Sequence, residues 1–262
     1  MPDPQFLEVQ RRAWEKADER HFAWQVGNPL IAATERALLA GVLPGTPISR
    51  LLEVGSGEGG NLLNLRASCG WLPRVTVGVD LFLEKARFGR RCAAPARFVC
   101  GDALALPFAS GAFDVVLCRD LLHHVQDRAS ALRELRRVCR PGGRVLVIEP
   151  NGRNPLIALF ALALRHERGQ LQTSPRRLQD MAARVFGPVE LEMRQPLPVS
   201  RALAHYSFGA EGLGGRRWFA RLMSAWDRAC ARLLPRGLWA YIVLQTVGRG
   251  ETGASPEAPG DV

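Results

Sequence analysis

The stretch Arg50-Leu51-Leu52-Glu53-Val54-Gly55-Ser56-Gly57-Glu58-Gly59-Gly60-Asn61-Leu62-Leu63-Asn64-Leu65 decides how the rest of the chain is read. An apolar run ends on an acid, turns through glycine at the alternate positions 55, 57 and 59, and opens into Asn61–Leu65, which reads as a helix. Glycine lets the main chain turn sharply and lets a ligand lie almost against it. A strand, a glycine loop and a helix in that order build a nucleotide-cofactor site in an α/β sheet, and the neighbouring residues select the cofactor.

Glu58 makes the first selection. A dinucleotide sets its pyrophosphate on the helix N-terminus, where amides and the helix dipole favour an anion. A carboxylate inside the loop, with Glu53 just before it, repels that group. S-adenosylmethionine has no phosphate and carries a sulfonium and an ammonium, for which acidic neighbours are an asset. The loop therefore favours S-adenosylmethionine over a nicotinamide dinucleotide.

Working outward, Arg74–Asp80 is a β-rich run whose aspartate follows the glycines by about 20 residues, the offset of a carboxylate that grips ribose hydroxyls. Leu83–Cys92 reads as a helix, Ala96–Ala103 as a third strand and Phe113–Asp120 as a fourth. A helix over Ala131–Arg140 is stopped by Pro141-Gly142-Gly143, and Arg144–Asn151 is a fifth, continuously apolar strand, as in a parallel sheet buried on both faces. Strand and helix alternate, so the core is a doubly wound, Rossmann-like α/β sheet with helices on both faces.

These motifs stand in a recognisable order. Leu52–Gly59, Gly78-Val79-Asp80, Gly101-Asp102-Ala103, Leu106-Pro107-Phe108 leading into Phe113–Val116, Leu122-His123-His124-Val125 and Leu135–Gly143 together resemble the class I S-adenosylmethionine-dependent methyltransferases. More narrowly, they resemble the small-molecule branch with a type 11 methyltransferase domain that includes the ubiquinone and menaquinone biosynthesis enzymes. The match covers roughly residues 48 to 151. It implies a seven-stranded, mostly parallel sheet with an antiparallel last strand. It also implies that Glu53, Gly55, Gly57 and Gly59 surround the cofactor, that Asp80 with Leu81 takes the ribose, that Asp102 and Ala103 meet the adenine, and that Arg119 and Leu122 flank the methionine end. Taken singly, Asp80 and Asp102 are equally compatible with helix-capping carboxylates; their mutual spacing carries the reading.

Composition bounds the remaining classes. The chain has 262 residues, enough for one core domain with appendages, and a net charge of +10. Only Lys16 and Lys85 are lysines, so the charge is an arginine bias and is discounted as a sign of a nucleic-acid partner. Six cysteines show neither a CxxC pair nor a His/Cys cluster, which points to free thiols, a reducing compartment and no metal. The start Met1-Pro2-Asp3-Pro4 carries charge where a signal peptide needs an apolar core, and no stretch reaches the length of a membrane span, so a cytoplasmic location is expected.

Domain organisation follows: an N-terminal helical cap over 1–47, the cofactor-binding core over 48–195 with an inserted helix about 154–169, a helical insertion over the acceptor site at 196–238, a final strand within 239–250 and a disordered tail at 251–262. In the cap, Phe6, Trp14, His21, Phe22 and Trp24 mostly pin helices, with Trp24 the candidate to face the sulfonium or acceptor. Asn154-Pro155 starts a short helix that is apolar all round, up to Arg165–Gly169. Residues 217–233 combine an apolar stripe with Arg217, Arg221, Arg228 and Arg232, a pattern that either packs on its own core or lies on an anionic membrane surface.

The chemistry expected is in-line methyl transfer to a small organic acceptor, lipophilic or aromatic, on oxygen or carbon. Alignment alone supplies roughly 7–11 kcal/mol of such a barrier. His123 and His124, just past the fourth strand, are the candidate general bases. Glu149, Asn151, His166, His205 and Tyr206 join Trp24 as acceptor-pocket candidates. The run Arg119-Asp120-Leu121-Leu122 lacks the Asn/Asp-Pro-Pro-aromatic signature used on exocyclic amines of bases, so nucleic acid is disfavoured as substrate. Two other classes remain open at this point: a non-catalytic cofactor-binding or membrane-surface protein, and a nicotinamide-dependent oxidoreductase.

Overall fold

The computed structural model describes residues 4–41, 48–70, 72–206 and 211–246. Seven strands form one sheet in the order β3-β2-β1-β4-β5-β7-β6. They are β1 (Arg50–Val54), β2 (Val75–Asp80), β3 (Arg97–Cys100), β4 (Phe113–Arg119), β5 (Cys139–Pro150), β6 (Val189–Arg194) and β7 (Tyr241–Thr246). The first five pair in parallel, with Leu52 opposite Val77 on one side and Val116 on the other; β7 runs antiparallel to both β5 and β6. This is the mostly parallel, Rossmann-like sheet expected, with its last strand reversed.

Alternation along the strands divides the core. Leu51, Leu117, Leu146 and Ile148 face one layer with Leu38, Leu62 and Leu65, while Leu52, Val116 and Val147 face the other with Leu132, Leu135 and Leu178. Side chains at successive strand positions point to opposite faces, so a continuous apolar run such as Val145–Ile148 needs cover on both. Helices α3 (Pro29–Leu38), α4 (Gly60–Cys69) and α5 (Leu83–Cys92) cover the first face, and α6 (Arg128–Val138) and α8 (Pro175–Phe186) the second. The run Pro141-Gly142-Gly143, expected to separate helix from strand, lies inside β5: Phe113 pairs with Cys139 and Val115 with Arg144, so the intervening residues bulge out of the ladder.

Two further helices, α1 (Pro4–Trp14) and α2 (Glu19–Gly27), precede α3. Asp18 caps α2 by accepting from His21 N at 2.9 Å. After β5, Asn154 caps α7 (Pro155–Ala163), and a 3-10 segment, Arg165–Gln172, follows where the sequence suggested only a helix end. The short α9 (Val199–Leu203) and the long α10 (Arg217–Leu233) come between β6 and β7. The expected apolar stripe of α10 is split: Phe219 and Met223 pack with Trp24, Ile31 and Ala204, whereas Trp218, Leu222 and Trp226 are exposed. The described part of the 196–238 segment thus packs on α2 and α3, and among its described residues only Arg201 lines the cavity at the carboxyl ends of the central strands. The tail expected to be disordered lies outside the described residues, as do Val247 and the side chain of Phe6.

Candidate active site

A cavity of about 510 Å³ lies across the carboxyl ends of β1, β2 and β4, where open α/β sheets place their ligands. Its floor is the glycine loop. Gly55 N and Ser56 N donate to Val79 O at 2.9 and 3.0 Å, and Gly57 N donates to Asp80 Oδ2 at 2.9 Å. Asp80 Oδ1 accepts from Phe82 N at 3.0 Å, so one carboxylate joins the loop to the end of β2. Burial raises the Asp80 carboxyl above its usual range, with Lys85 opposing. Gly59 has a backbone φ of +87°, and a Cβ there would lie 2.6 Å from Phe98 Cζ; its role is to let the loop pass that ring. Leu81, Asp102 and Ala103 line the same end, with Asp102 Oδ1 accepting from Leu104 N at 2.8 Å.

Glu53 is fully buried behind the loop, and burial pushes its carboxyl up to about 8. Its Oε1 accepts from Asn61 Nδ2 at 2.7 Å, while its Oε2 has no partner among the described residues, and the same is true of the Ser56 hydroxyl. Glu58 stands differently from the sequence argument. Its carboxylate meets the Lys85 ammonium at 3.4 Å and accepts from Asp18 N at 2.9 Å, both side chains being buried. The acid of the loop thus has an internal cation beside it, and Lys85 lines the cavity.

Arg119, expected beside the methionine end, has a side chain that carries structure. It meets Glu35 of α3 at 2.5 Å and Asp120 at 3.1 Å, and donates to Asn61 Oδ1 at 2.8 Å. Arg201 also pairs with Glu35. Burial opposes the Glu35 charge, yet the two guanidinium groups outweigh it and hold the carboxyl at about 2.

The other end of the cavity is built around the turn after β4. Glu149, at the end of β5, accepts from the amides of Leu121 and Leu122, both at 2.8 Å, and from the ring of His123 at 2.7 Å. His123 Nε2 lies 3.3 Å from Glu167 Oε2. Burial disfavours its charge, but the two carboxylates prevail and push it up to about 10. With Glu149 on Nδ1 and Glu167 beside Nε2, both ring nitrogens of His123 are engaged by carboxylates, so the geometry does not present it to an acceptor proton as the expected base. His124 is the opposite case. Burial, reinforced by the adjacent His123, holds it well below the usual histidine range, and its Nδ1 has no hydrogen-bond partner among the described residues.

Trp14 of α1 closes this end, its ring 5.4 Å from that of His124 and 5.2 Å from that of His166. Gln10 Nε2 donates to His166 O at 2.9 Å. Trp14 Nε1, Gln10 Oε1, Gln170 Oε1 and His124 Nδ1 are all buried without a partner among the described residues, and all four side chains line the cavity. Ile157 and Val125 add apolar wall.

Several acceptor-pocket candidates are placed elsewhere. Glu149 is buried beneath the turn and its oxygens are taken up as described. Asn151 donates to Gly237 O and Trp239 O at 3.0 and 2.8 Å, which pins the approach to β7. Trp24 is buried with its indole N–H on Ala204 O, and Tyr206 donates to Asp18 Oδ2 at 2.9 Å with His205 stacked on it. His166 stands behind Trp14, and Leu122, expected beside the cofactor's methionine end, has its side chain buried in the core. The residues that do line this end, Trp14, Glu167 and Gln170, went unselected. Lys85 left a usable signal: it is one of two lysines in an arginine-rich chain.

The description "Methyltransferase domain" fits a family model matched over residues 52–147. A demethylmenaquinone methyltransferase of Mycolicibacterium paratuberculosis is 34% identical over 187 residues, covering 71% of this chain and 74% of that protein. The chain belongs to the class I S-adenosylmethionine-dependent methyltransferases. A second relative, the demethylmenaquinone methyltransferase of Roseiflexus castenholzii, is 42% identical over 112 residues, 41% of this chain, and the match spans less than half, 46%, of that relative's length. Among solved structures, a methyltransferase of Thermotoga maritima described as a possible histamine N-methyltransferase aligns with a TM-score of 0.64 at 16% identity, covering 93% of this chain and all of that one. The geranyl diphosphate C-methyltransferase of Streptomyces coelicolor aligns with a TM-score of 0.58 at 18% identity, covering 95% of this chain and 100% of that one. Both show the same fold.

The residues present fit the cofactor of this methyltransferase family. The loop backbone, the unpartnered Ser56 Oγ and the carboxylates of Asp80 and Asp102 give the cavity a polar end, where Lys85 is paired with Glu58 and Glu53 is buried behind the loop. Within the described residues no helix is long and apolar enough to cross a membrane.

Proposed function

We propose that this methyltransferase transfers the methyl group of S-adenosylmethionine to a small lipophilic acceptor that carries ring hydroxyl or carbonyl groups, of the quinol type. The observation that carries the reading is the division of one cavity into two ends. One end holds the glycine loop with Asp80 and Asp102; the other sets four unpartnered polar atoms among Trp14, Ile157 and Val125. Buried polar groups left unpaired cost free energy, so atoms in that state at a cavity wall are matched to a ligand's own donors and acceptors. The demethylmenaquinone methyltransferases among its relatives support a ring of this class.

When bound, S-adenosylmethionine supplies a methyl group on a sulfonium, open to in-line displacement. Asp80 and Asp102 would hold the ribose and adenine, and Glu53 would support the loop from behind through Asn61. The turn Leu121–His123, fixed by Glu149, sets the wall from which the acceptor approaches. The acceptor oxygen or carbon would take the methyl carbon as the carbon–sulfur bond breaks, and the acceptor's proton would pass to water. Alignment by these walls is the main source of rate.

Exposed Trp218, Leu222, Trp226 and Leu233 on α10, interleaved with Arg217, Arg221, Arg228 and Arg232, support a peripheral contact with anionic lipid, the phase in which such an acceptor resides. The test incubates the protein with methyl-labelled S-adenosylmethionine and a reduced short-chain demethylmenaquinone analogue, with a cell lysate in parallel, and separates organic, aqueous, protein and nucleic-acid fractions. Label in the organic fraction is expected. Label confined to macromolecule overturns the substrate class.

A further inference from the structure

We infer that His123, His124 and Glu167 form a binding site for one divalent transition-metal ion, of the zinc or ferrous class, at the acceptor end of the cavity. Each of the three offers a ligand atom, and these atoms lie within 4.8 Å of one another. Ligands about 2.0–2.2 Å from a tetrahedral zinc ion lie about 3.3–3.6 Å apart; His123 Nε2 and Glu167 Oε2 already stand 3.3 Å apart, and the widest separation in the set closes by about 1 Å on binding. All three side chains line the cavity.

Two observations go beyond the clustering. The first is His124. Its Nδ1 is sealed from solvent with no partner among the described residues, and its ring sits 3.9 Å from the ring of His123. A proton shared between His123 and the flanking carboxylates accounts for His123 but leaves the His124 nitrogen unexplained. An ion held by one nitrogen of each ring and by Glu167 engages both residues. The second is Glu149. A metal-bound histidine almost always gives its other ring N–H to a carboxylate or carbonyl, which fixes the tautomer and aims the free nitrogen at the metal. Glu149 Oε2 holds His123 Nδ1 at 2.7 Å, leaving Nε2 turned towards Glu167. Glu149 is itself locked by the amides of Leu121 and Leu122.

Two imidazoles and one carboxylate suit a borderline transition metal; magnesium prefers an all-oxygen shell. Three protein ligands leave positions open towards the cavity. An acceptor oxygen bound there would be held as its anion, next to the wall from which methyl transfer is approached. That role rests on the proposed function; the binding of the ion does not.

The probe is Co²⁺, titrated into chelator-stripped, full-length protein and followed by its d–d absorption. S-adenosylhomocysteine binding is measured by calorimetry on the same samples. Saturable uptake of one equivalent is expected in the wild type. Glu167→Gln and His124→Ala are each expected to weaken it by at least the about 10–100-fold that loss of an outer-shell partner costs. His124→Ala removes a ring whose Nδ1 has no partner to lose, so it keeps the test open if Glu167→Gln fails to fold. Absence of saturable uptake overturns the site. So does equal uptake by wild type and variants, the result expected if Co²⁺ goes to the exposed Cys69, Cys92 and Cys100. Loss of S-adenosylhomocysteine binding by the wild type would count against the methyltransferase reading alone, since the Co²⁺ titration decides the ion independently.

Discussion

Asp80 reaches Gly57 across 23 positions of sequence, whereas Gln10 reaches His166 across 156. The glycine-loop end of the cavity is made by consecutive strand–loop units. The acceptor end is assembled from α1, the turn after β4 and the 3-10 segment behind α7. Nearby spacing fixes the first end in any chain that carries the motif. The second end depends on how distant elements pack, so it is free to vary while the cofactor site stays the same. That difference predicts that damage to the shared support is felt by both ends, and damage to either wall by one.

The buried ion pairs behind the cavity, which support both ends, give the largest effect. Glu35, buried between Arg119 and Arg201, ties α3 and α9 to the end of β4. Removing one partner of a buried ion pair costs about 3–5 kcal/mol, so Glu35→Gln is expected to lose that much in urea unfolding at neutral pH. The folded carboxyl is held at about 2, below its unfolded value, so the wild-type advantage is complete above the unfolded value and fades as pH falls towards 2. A deficit that stays constant down that range would break the assignment of the charge.

Next comes the cofactor wall. Asp80→Ala removes two backbone contacts to a carboxylate along with the proposed ribose contact. Bonds to charged groups are worth about 1.5–3 kcal/mol each, so S-adenosylhomocysteine affinity is expected to fall by at least about tenfold in calorimetry. Unchanged affinity would erase the distinction between the two ends. Gly59→Ala forces a Cβ to within 2.8 Å of Ala93 Cβ and against Phe98, at a φ that side chains avoid. An overpacking cost of about 1–3 kcal/mol is expected in the same unfolding assay.

The smallest effect on stability is at the acceptor wall. The Lys85 ammonium lies 4.8 Å from the Trp14 ring centroid, a contact worth about 0.5–2 kcal/mol. Trp14→Ala is expected to leave S-adenosylhomocysteine binding nearly intact while incorporation of labelled methyl into the organic fraction drops. A matching fall in both would show that α1 serves the cofactor as much as the acceptor.

The same contrast explains what was legible in the sequence. The strands from Leu52 to Ile148 follow from periodicity and the positions of Gly57, Asp80 and Asp102 from short spacing, whereas the reversed last strand was legible only through the family resemblance. Glu149 was read as facing the acceptor because a strand-end acid looks alike whether it points outward or beneath the next turn. Only the return of Leu121–His123 over it settles the matter. Trp24 and Trp14 stand ten positions apart in the same aromatic segment, and nothing local says which one is sealed against Ala204 and which lines the cavity. Glu167 lay in a charged run read as the end of a helix, and its 3-10 geometry brings it back to His123.

The ion pair between Lys85 and Glu58 has a consequence for exchange at the glycine loop. A positively charged ligand arriving there meets a carboxylate whose charge Lys85 already balances, so Glu58 offers it little net attraction. Ligand uptake at this end should therefore respond only weakly to ionic strength.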